Sequence, residues 1–186
     1  MIRLYTGPMF SSKSTQLYYA MEKAIYAKQK IAFIRPVKDD RDYVAHSIID
    51  KGFETFIQEK KVDVLIIDEF TDDIVSSLND YDKIFVDEFF MIKNNKLLCN
   101  SLGENQELYF AGLISTSENE LFDEAKEVLP LCDKIDKFNG ICNICHSFLG
   151  SYSMYRGNKT SSIVVGDNDK YDCVCRNCYK KVKGSL

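Results

Sequence analysis

Short apolar runs alternate with stretches of helical period through the first two thirds of this chain. Ile2–Tyr5, Ile31–Ile34, Val62–Ile67, Lys83–Val86 and Glu107–Ala111 are compact, mostly apolar and bounded by polar residues, as expected of strands covered on both faces. After the first of them, Leu17, Met21, Ala24 and Ile25 recur on one face of a segment that reads as a helix from Ser14 to Ala27. Pro36 is expected to end the second strand and open a charged loop, Lys38 to Asp42. Strands separated by helices predict an α/β fold on a parallel sheet flanked by helices. From about Asn139 the helical period is lost, paired cysteines appear, and Lys180 to Leu186 reads as a frayed end. The expected division is a nucleotide-binding domain over residues 1–138 and a small metal-organised module over 139–186.

Composition narrows the classes. With 186 residues, 45% hydrophobic and 28% charged, the chain suits one globular domain with a small satellite. Its net charge is -4, so a nucleic-acid partner bound through a basic face is not expected. The charge is uneven: 15 basic against 23 acidic residues up to position 132, and 9 against 5 beyond it. No stretch approaches the length of a membrane span, and Met1 to Tyr5 already reads as a strand. The expected setting is a reducing, cytoplasmic one, where seven cysteines are better read as metal ligands or buried thiols than as disulfides.

Three patterns carry chemistry. The first is Gly7-Pro8-Met9-Phe10-Ser11-Ser12-Lys13-Ser14, placed where a strand hands over to a helix. It follows the template G-x-x-x-x-G-K-[ST], whose backbone N–H groups curl around phosphate at a helix N-terminus. Lys13 would bridge the β- and γ-phosphates of ATP, and the Ser14 hydroxyl would ligate Mg²⁺. Ser12 stands where the second glycine belongs and must either fit an allowed conformation or strain the loop.

The second pattern is duplicated. Ile67-Asp68-Glu69-Phe70 and Val86-Asp87-Glu88-Phe89 both place two carboxylates at the end of an apolar strand, where a metal-side acid and a group to take a hydroxyl proton are needed. Local pattern does not choose between them.

The third is Cys142-x-x-Cys145 and Cys175-x-x-Cys178, two pairs that together make a closed tetrahedral Zn²⁺ site with no open position for water, hence structural. Cys142-x-x-Cys145-His146 also has the form of a haem attachment, but that leaves the second pair unexplained. Cys173 is an alternative ligand beside the second pair; Cys99 and Cys132 read as core thiols.

On these residues the chain resembles the type II thymidine kinases over nearly its whole length. Gly7 to Ser14 is similar to the family's GPMFSGKS/T loop, Asp39-Asp40-Arg41 to its D-x-R loop, Tyr81 to Phe90 to the strand ending in DEAQFF, and Ala111-Gly112-Leu113 to AGLD. Val165 to Tyr171 resembles the IGGADKY of the family's lasso, ahead of Cys175. The resemblance implies Glu88 as the catalytic glutamate and Asp87 as the Mg²⁺-side acid. It implies a nucleotide site of Gly7, Met9, Phe10, Ser11, Ser12, Lys13, Ser14, Asp39, Arg41 and Asp87. The nucleoside pocket would take Met9, Leu113, Phe122, Ser153, Val164, Val165 and Tyr171, with a homotetramer and a thymidine-salvage role. Ser12, the absent glutamine after Glu88, Ile114 in place of the aspartate of AGLD, and Ser117 at a usual pocket phenylalanine depart from the pattern. Two other readings stay open: a family member that binds nucleotide without turnover, and a zinc-ribbon nucleic-acid-binding protein, against which the acidic balance argues.

Overall fold

In the computed structural model, residues 1–37, 55, 57–60, 62–157 and 170–184 are described. Among them six strands form one parallel sheet: β1 (Ile2–Thr6), β2 (Ile31–Pro36), β3 (Asp63–Ile67), β4 (Lys83–Val86), β5 (Glu107–Gly112) and β6 (Lys134–Lys137), in the order β3-β2-β4-β5-β1-β6. The α/β reading of the apolar runs holds. Within each inner strand, alternate residues feed opposite faces. Leu4, Ile34, Ile84, Val86, Leu108 and Phe110 point to one core. Tyr5, Ile31, Phe33, Phe85 and Tyr109 point to the other.

Helix α1 (Lys13–Tyr26) covers the second face with Leu17, Tyr18, Met21 and Ala24. The first face is covered by three short helices, α2 (Asp72–Ser77), α3 (Asn95–Asn100) and α4 (Asp123–Val128), through Val75, Leu98, Ala125 and Val128. Phe33, Phe70, Phe85, Phe89 and Phe110 are among the largest fully buried side chains, each contributing on the order of 1.5–3 kcal/mol by leaving water.

Strand β2 ends at Pro36, as expected, with Pro36 in register with Ile67. Two expectations need correcting. Strand β6 adds a sixth strand beside β1. The segment taken for a frayed end begins inside a helix, α5 (Arg176–Lys183), anchored by buried Cys178 and Tyr179.

The paired cysteines organise the C-terminal part. Strands β7 (Gly150–Tyr155) and β8 (Tyr171–Cys175) pair antiparallel, with a register shift between Gly150 and Tyr152. They share a small core of Cys142, Met154, Val174, Cys175, Cys178 and Tyr179. The hydroxyl of Tyr179 donates to the carbonyl of Ser117 at 3.2 Å and accepts from Asn119 Nδ2 at 3.1 Å, tying α5 to the loop after β5. Among the described residues no helix is long and apolar enough to cross a membrane.

Candidate active site and metal centre

The ends of β1, β4 and β5 point to the same side of the sheet, because all are parallel. The loop from Gly7 to Ser12 leaves β1 and enters α1 at Lys13. Gly7 has φ 153°, and a Cβ there would lie 2.4 Å from the carbonyl oxygen of Phe138 and 2.5 Å from Ser11 Oγ; only glycine passes. Phe10 and Ser12 hold left-handed backbone at φ 60° and 61°. For residues with a Cβ that region costs roughly 1–2 kcal/mol. Ser12 therefore does not escape the constraint that a glycine there would remove, and its hydroxyl makes no capping bond to α1. The first turn of α1 carries no acidic residue, which leaves its N–H groups and positive end open to an anion.

Lys13 is buried, and its Nζ donates to the carbonyl of Pro8 at 2.7 Å; Ser11 Oγ donates to the same oxygen at 2.9 Å. Ser14 Oγ donates to Asp87 Oδ1 at 3.1 Å, which also accepts the N–H of Glu88 at 3.1 Å. Tyr18, one helical turn beyond Ser14, brings its hydroxyl to 3.3 Å from Asp87 Oδ2. Asp87 is 1% exposed and Glu88 7%. An apolar strand end thus holds two carboxylates out of bulk water beside a lysine and a helix N-terminus. A hydroxyl and a carboxylate 3.1 Å apart are hard oxygen donors of the kind Mg²⁺ takes together with phosphate oxygens.

The other acidic pair is elsewhere. Glu69 is exposed after the edge strand β3 and accepts from Asn94 Nδ2 at 2.6 Å. Glu88 itself sits at φ 49° and opens a 3₁₀ turn, Phe89–Met91. Asn95, fully buried, holds that turn by sharing the two N–H groups of Nδ2 among the carbonyls of Phe89 (3.0 Å) and Ile92 (2.5 Å) and Glu124 Oε2 (2.9 Å). Phe90 stacks on Phe122 with ring centroids 4.6 Å apart.

The thymidine kinase family model matches residues 1–179. The chain belongs to the thymidine kinase family. The match covers all of the geometry just described and makes the chain an enzyme, a transferase. A thymidine kinase of Amsacta moorei entomopoxvirus is 30% identical over 184 residues, 96% of this chain and 97% of that protein. One of Rabbit fibroma virus (strain Kasza) is 29% identical over 96% and 95%, and one of the bacterium Pseudothermotoga lettingae 27% identical over 97% and 95%.

The residues assigned from sequence to this thymidine kinase family site are distributed as follows. Gly7, Met9, Phe10, Ser11 and Ser12 lie in the loop, Lys13 and Ser14 in the first turn of α1, and Asp87 and Glu88 at the end of β4. Leu113 and Ser153 share the wall of a cavity of about 40 Å³ with Thr6, Gly7, Pro8 and Tyr152. Met9, Phe122 and Tyr171 are not in that wall; Phe122 lies against Phe90, and Tyr171 faces Tyr155 across the hairpin at 5.2 Å. Asp39, Arg41, Val164 and Val165 lie outside the described residues. Sequence reading missed Tyr18, which the four-residue helical spacing from Ser14 signals. It also missed Asn95 and Thr6, the latter a fully buried hydroxyl with no hydrogen-bond partner among the described residues; no local pattern marks either.

The sulfurs of Cys142, Cys145, Cys175 and Cys178 all lie within 4.8 Å of one another, and Cys145 and Cys175 are 3.7 Å apart. Four thiolates at about 2.3 Å from one zinc would stand about 3.8 Å apart, so the four residues fit that ion. The Ser147 hydroxyl and N–H lower the Cys145 thiol to about 6, which favours the thiolate a metal needs. Cys173 is not in the cluster. Burial pushes it up to about 11, as it pushes Cys99 to about 12 and Cys132 to about 11.

Proposed function

We propose that the chain transfers the γ-phosphoryl group of ATP to the 5′-hydroxyl of thymidine, or of deoxyuridine, in nucleotide salvage. The observation that carries this reading is the 3.1 Å contact between Ser14 and Asp87, which joins the phosphate loop and the acidic pair of β4 into one site. Loop N–H groups and Lys13 hold the β- and γ-phosphates. Ser14 and Asp87 hold Mg²⁺, which neutralises phosphate charge when bound. Glu88 accepts the proton of the 5′-hydroxyl; the oxygen attacks the γ-phosphorus, the bond to the β-phosphate oxygen breaks, and ADP leaves. Asp39 and Arg41 complete the phosphate side. Met9, Leu113, Phe122, Ser153, Val164, Val165 and Tyr171 form the nucleoside side, supported by the shared cavity of Leu113 and Ser153.

Cys142, Cys145, Cys175 and Cys178 hold a structural Zn²⁺. Residues 1–138 act as the kinase domain and 139–186 as the zinc module, a division supported by the separate core of the latter. A cytoplasmic homotetramer is the state we assign from family membership. The left-handed Ser12 favours one second reading, nucleotide binding without turnover. Incubating the chain with ATP, Mg²⁺ and a panel of nucleosides separates the two: thymidine monophosphate and ADP in equal amounts support transfer, and ATP binding with no nucleotide product supports the second reading.

A further inference from the structure

Between Gly7 and α1 the phosphate loop contains no glycine, yet Phe10 and Ser12 both hold left-handed backbone. Such conformations persist only where the surroundings over-determine them. Here the surroundings come from the C-terminal hairpin. The N–H of Met9, one residue before Phe10, donates to Ser153 Oγ at 2.8 Å. Ser153 is 8% exposed on β7, opposite Cys173 of β8, so its position is set by the paired hairpin. Gly140 closes the other side. A Cβ there would lie 3.2 Å from the Phe10 carbonyl oxygen, 3.5 Å from that of Met9 and 2.6 Å from Cys173 Sγ, so the loop rests directly on the cysteine layer. One hydroxyl draws the Met9 peptide towards the hairpin, and the Gly140–Cys173 layer limits how far it can move.

We infer that Ser153 is a positioning residue for the phosphate loop, so that the hairpin of the cysteine module sets the affinity for a nucleoside triphosphate. The inference rests on the phosphoryl-transfer reading in one respect, that this loop takes ATP. It differs from the nucleoside contact that the family resemblance implies for the same residue. The Ser153 oxygen accepts from Met9 while its own O–H stays available to donate, so the two roles are separable by measuring each ligand alone.

The test is equilibrium binding of a non-hydrolysable ATP analogue with Mg²⁺ to the full, zinc-loaded chain, for the unaltered protein, Ser153→Ala, Ser153→Thr and Ser153→Val. Losing the hydroxyl leaves a part-buried N–H without its acceptor, and the Ala and Val variants should bind the analogue about five- to ten-fold more weakly. Thr keeps the hydroxyl that Val replaces by a methyl of similar size, and should bind the analogue about five- to ten-fold more tightly than Val. Zinc content should be equal in all four. If Ser153→Ala folds poorly, the Thr/Val pair carries the comparison. Unchanged analogue binding in the Ala and Val variants, or equal loss in Thr and Val, overturns the inference. So does a loss confined to thymidine binding measured without nucleotide. If the unaltered chain binds no analogue, the phosphoryl-transfer reading falls and takes this inference with it.

Discussion

Replacing Glu88 by Gln tests which of the two acidic pairs does the chemistry. The change is nearly isosteric, and an amide at this position still fits the 7% exposed pocket. It removes the carboxylate proposed to take the 5′-hydroxyl proton. Help of that kind is worth about 100- to 10,000-fold, or roughly 2.7–5.5 kcal/mol of barrier at 1.36 kcal/mol per decade. The loop, Lys13, Ser14 and Asp87 are untouched, so ATP affinity should hold. Glu69→Gln is the matched control. Glu69 follows β3, two strands from β4 in the sheet, or about 10 Å at the usual strand spacing. It is exposed, and its bond from Asn94 survives in Gln, whose carbonyl still accepts. A surface change of this kind is worth within about 0.5 kcal/mol. The assay is ADP release at saturating ATP and thymidine, beside calorimetric ATP binding. Loss of turnover in Glu69→Gln with normal turnover in Glu88→Gln would refute the placement of the site at the end of β4.

Lys13→Ala should lower kcat/KM by about 100- to 1000-fold, the range for removing one preorganised electrostatic partner. Its melting temperature should fall by several degrees without loss of the fold, since a charged-donor bond of the Lys13–Pro8 kind is worth about 1.5–3 kcal/mol. Cys175→Ser should abolish zinc in metal analysis of freshly reduced protein and lower the melting temperature; zinc retained at one per chain would show that Cys173 moves in as a ligand. Ser12→Gly should keep or raise ATP affinity measured calorimetrically, because glycine adopts φ 61° freely; a large fall would reveal a contact of the Ser12 hydroxyl with nucleotide.

Much of the sheet was legible because its inner strands are buried on both faces, which writes them as unbroken apolar runs. Strand β6 escaped because an exposed edge strand needs little apolar content: Ile135 is its sole apolar residue, and even that is 47% exposed. Helix α5 escaped because only Cys178 and Tyr179 of its residues are buried, too few to mark a period. The phosphate loop and the four cysteines were legible as local spacing. Local pattern did not choose between Glu88 and Glu69, which only the family resemblance separated, because two identical strand ends differ in what strand order places beside them. The bond between Met9 and Ser153 spans 144 residues, and nothing local to either announces it.

Strand β1 has a consequence for how the molecule is made. Ile2 pairs with Leu108 on one side and Arg3 with Lys134 on the other, so β1 has no sheet neighbour until the chain has been made as far as β5. Parallel pairings over such separations are slow to form and leave apolar edges exposed while they wait. The strand that feeds the phosphate loop is therefore translated well before either of its neighbours, and a chain ending before Lys134 would keep one side of β1 open to other molecules. During synthesis, competence to bind nucleotide should emerge late, and shortage of a holding chaperone should reduce the yield of active protein more than it reduces the amount translated.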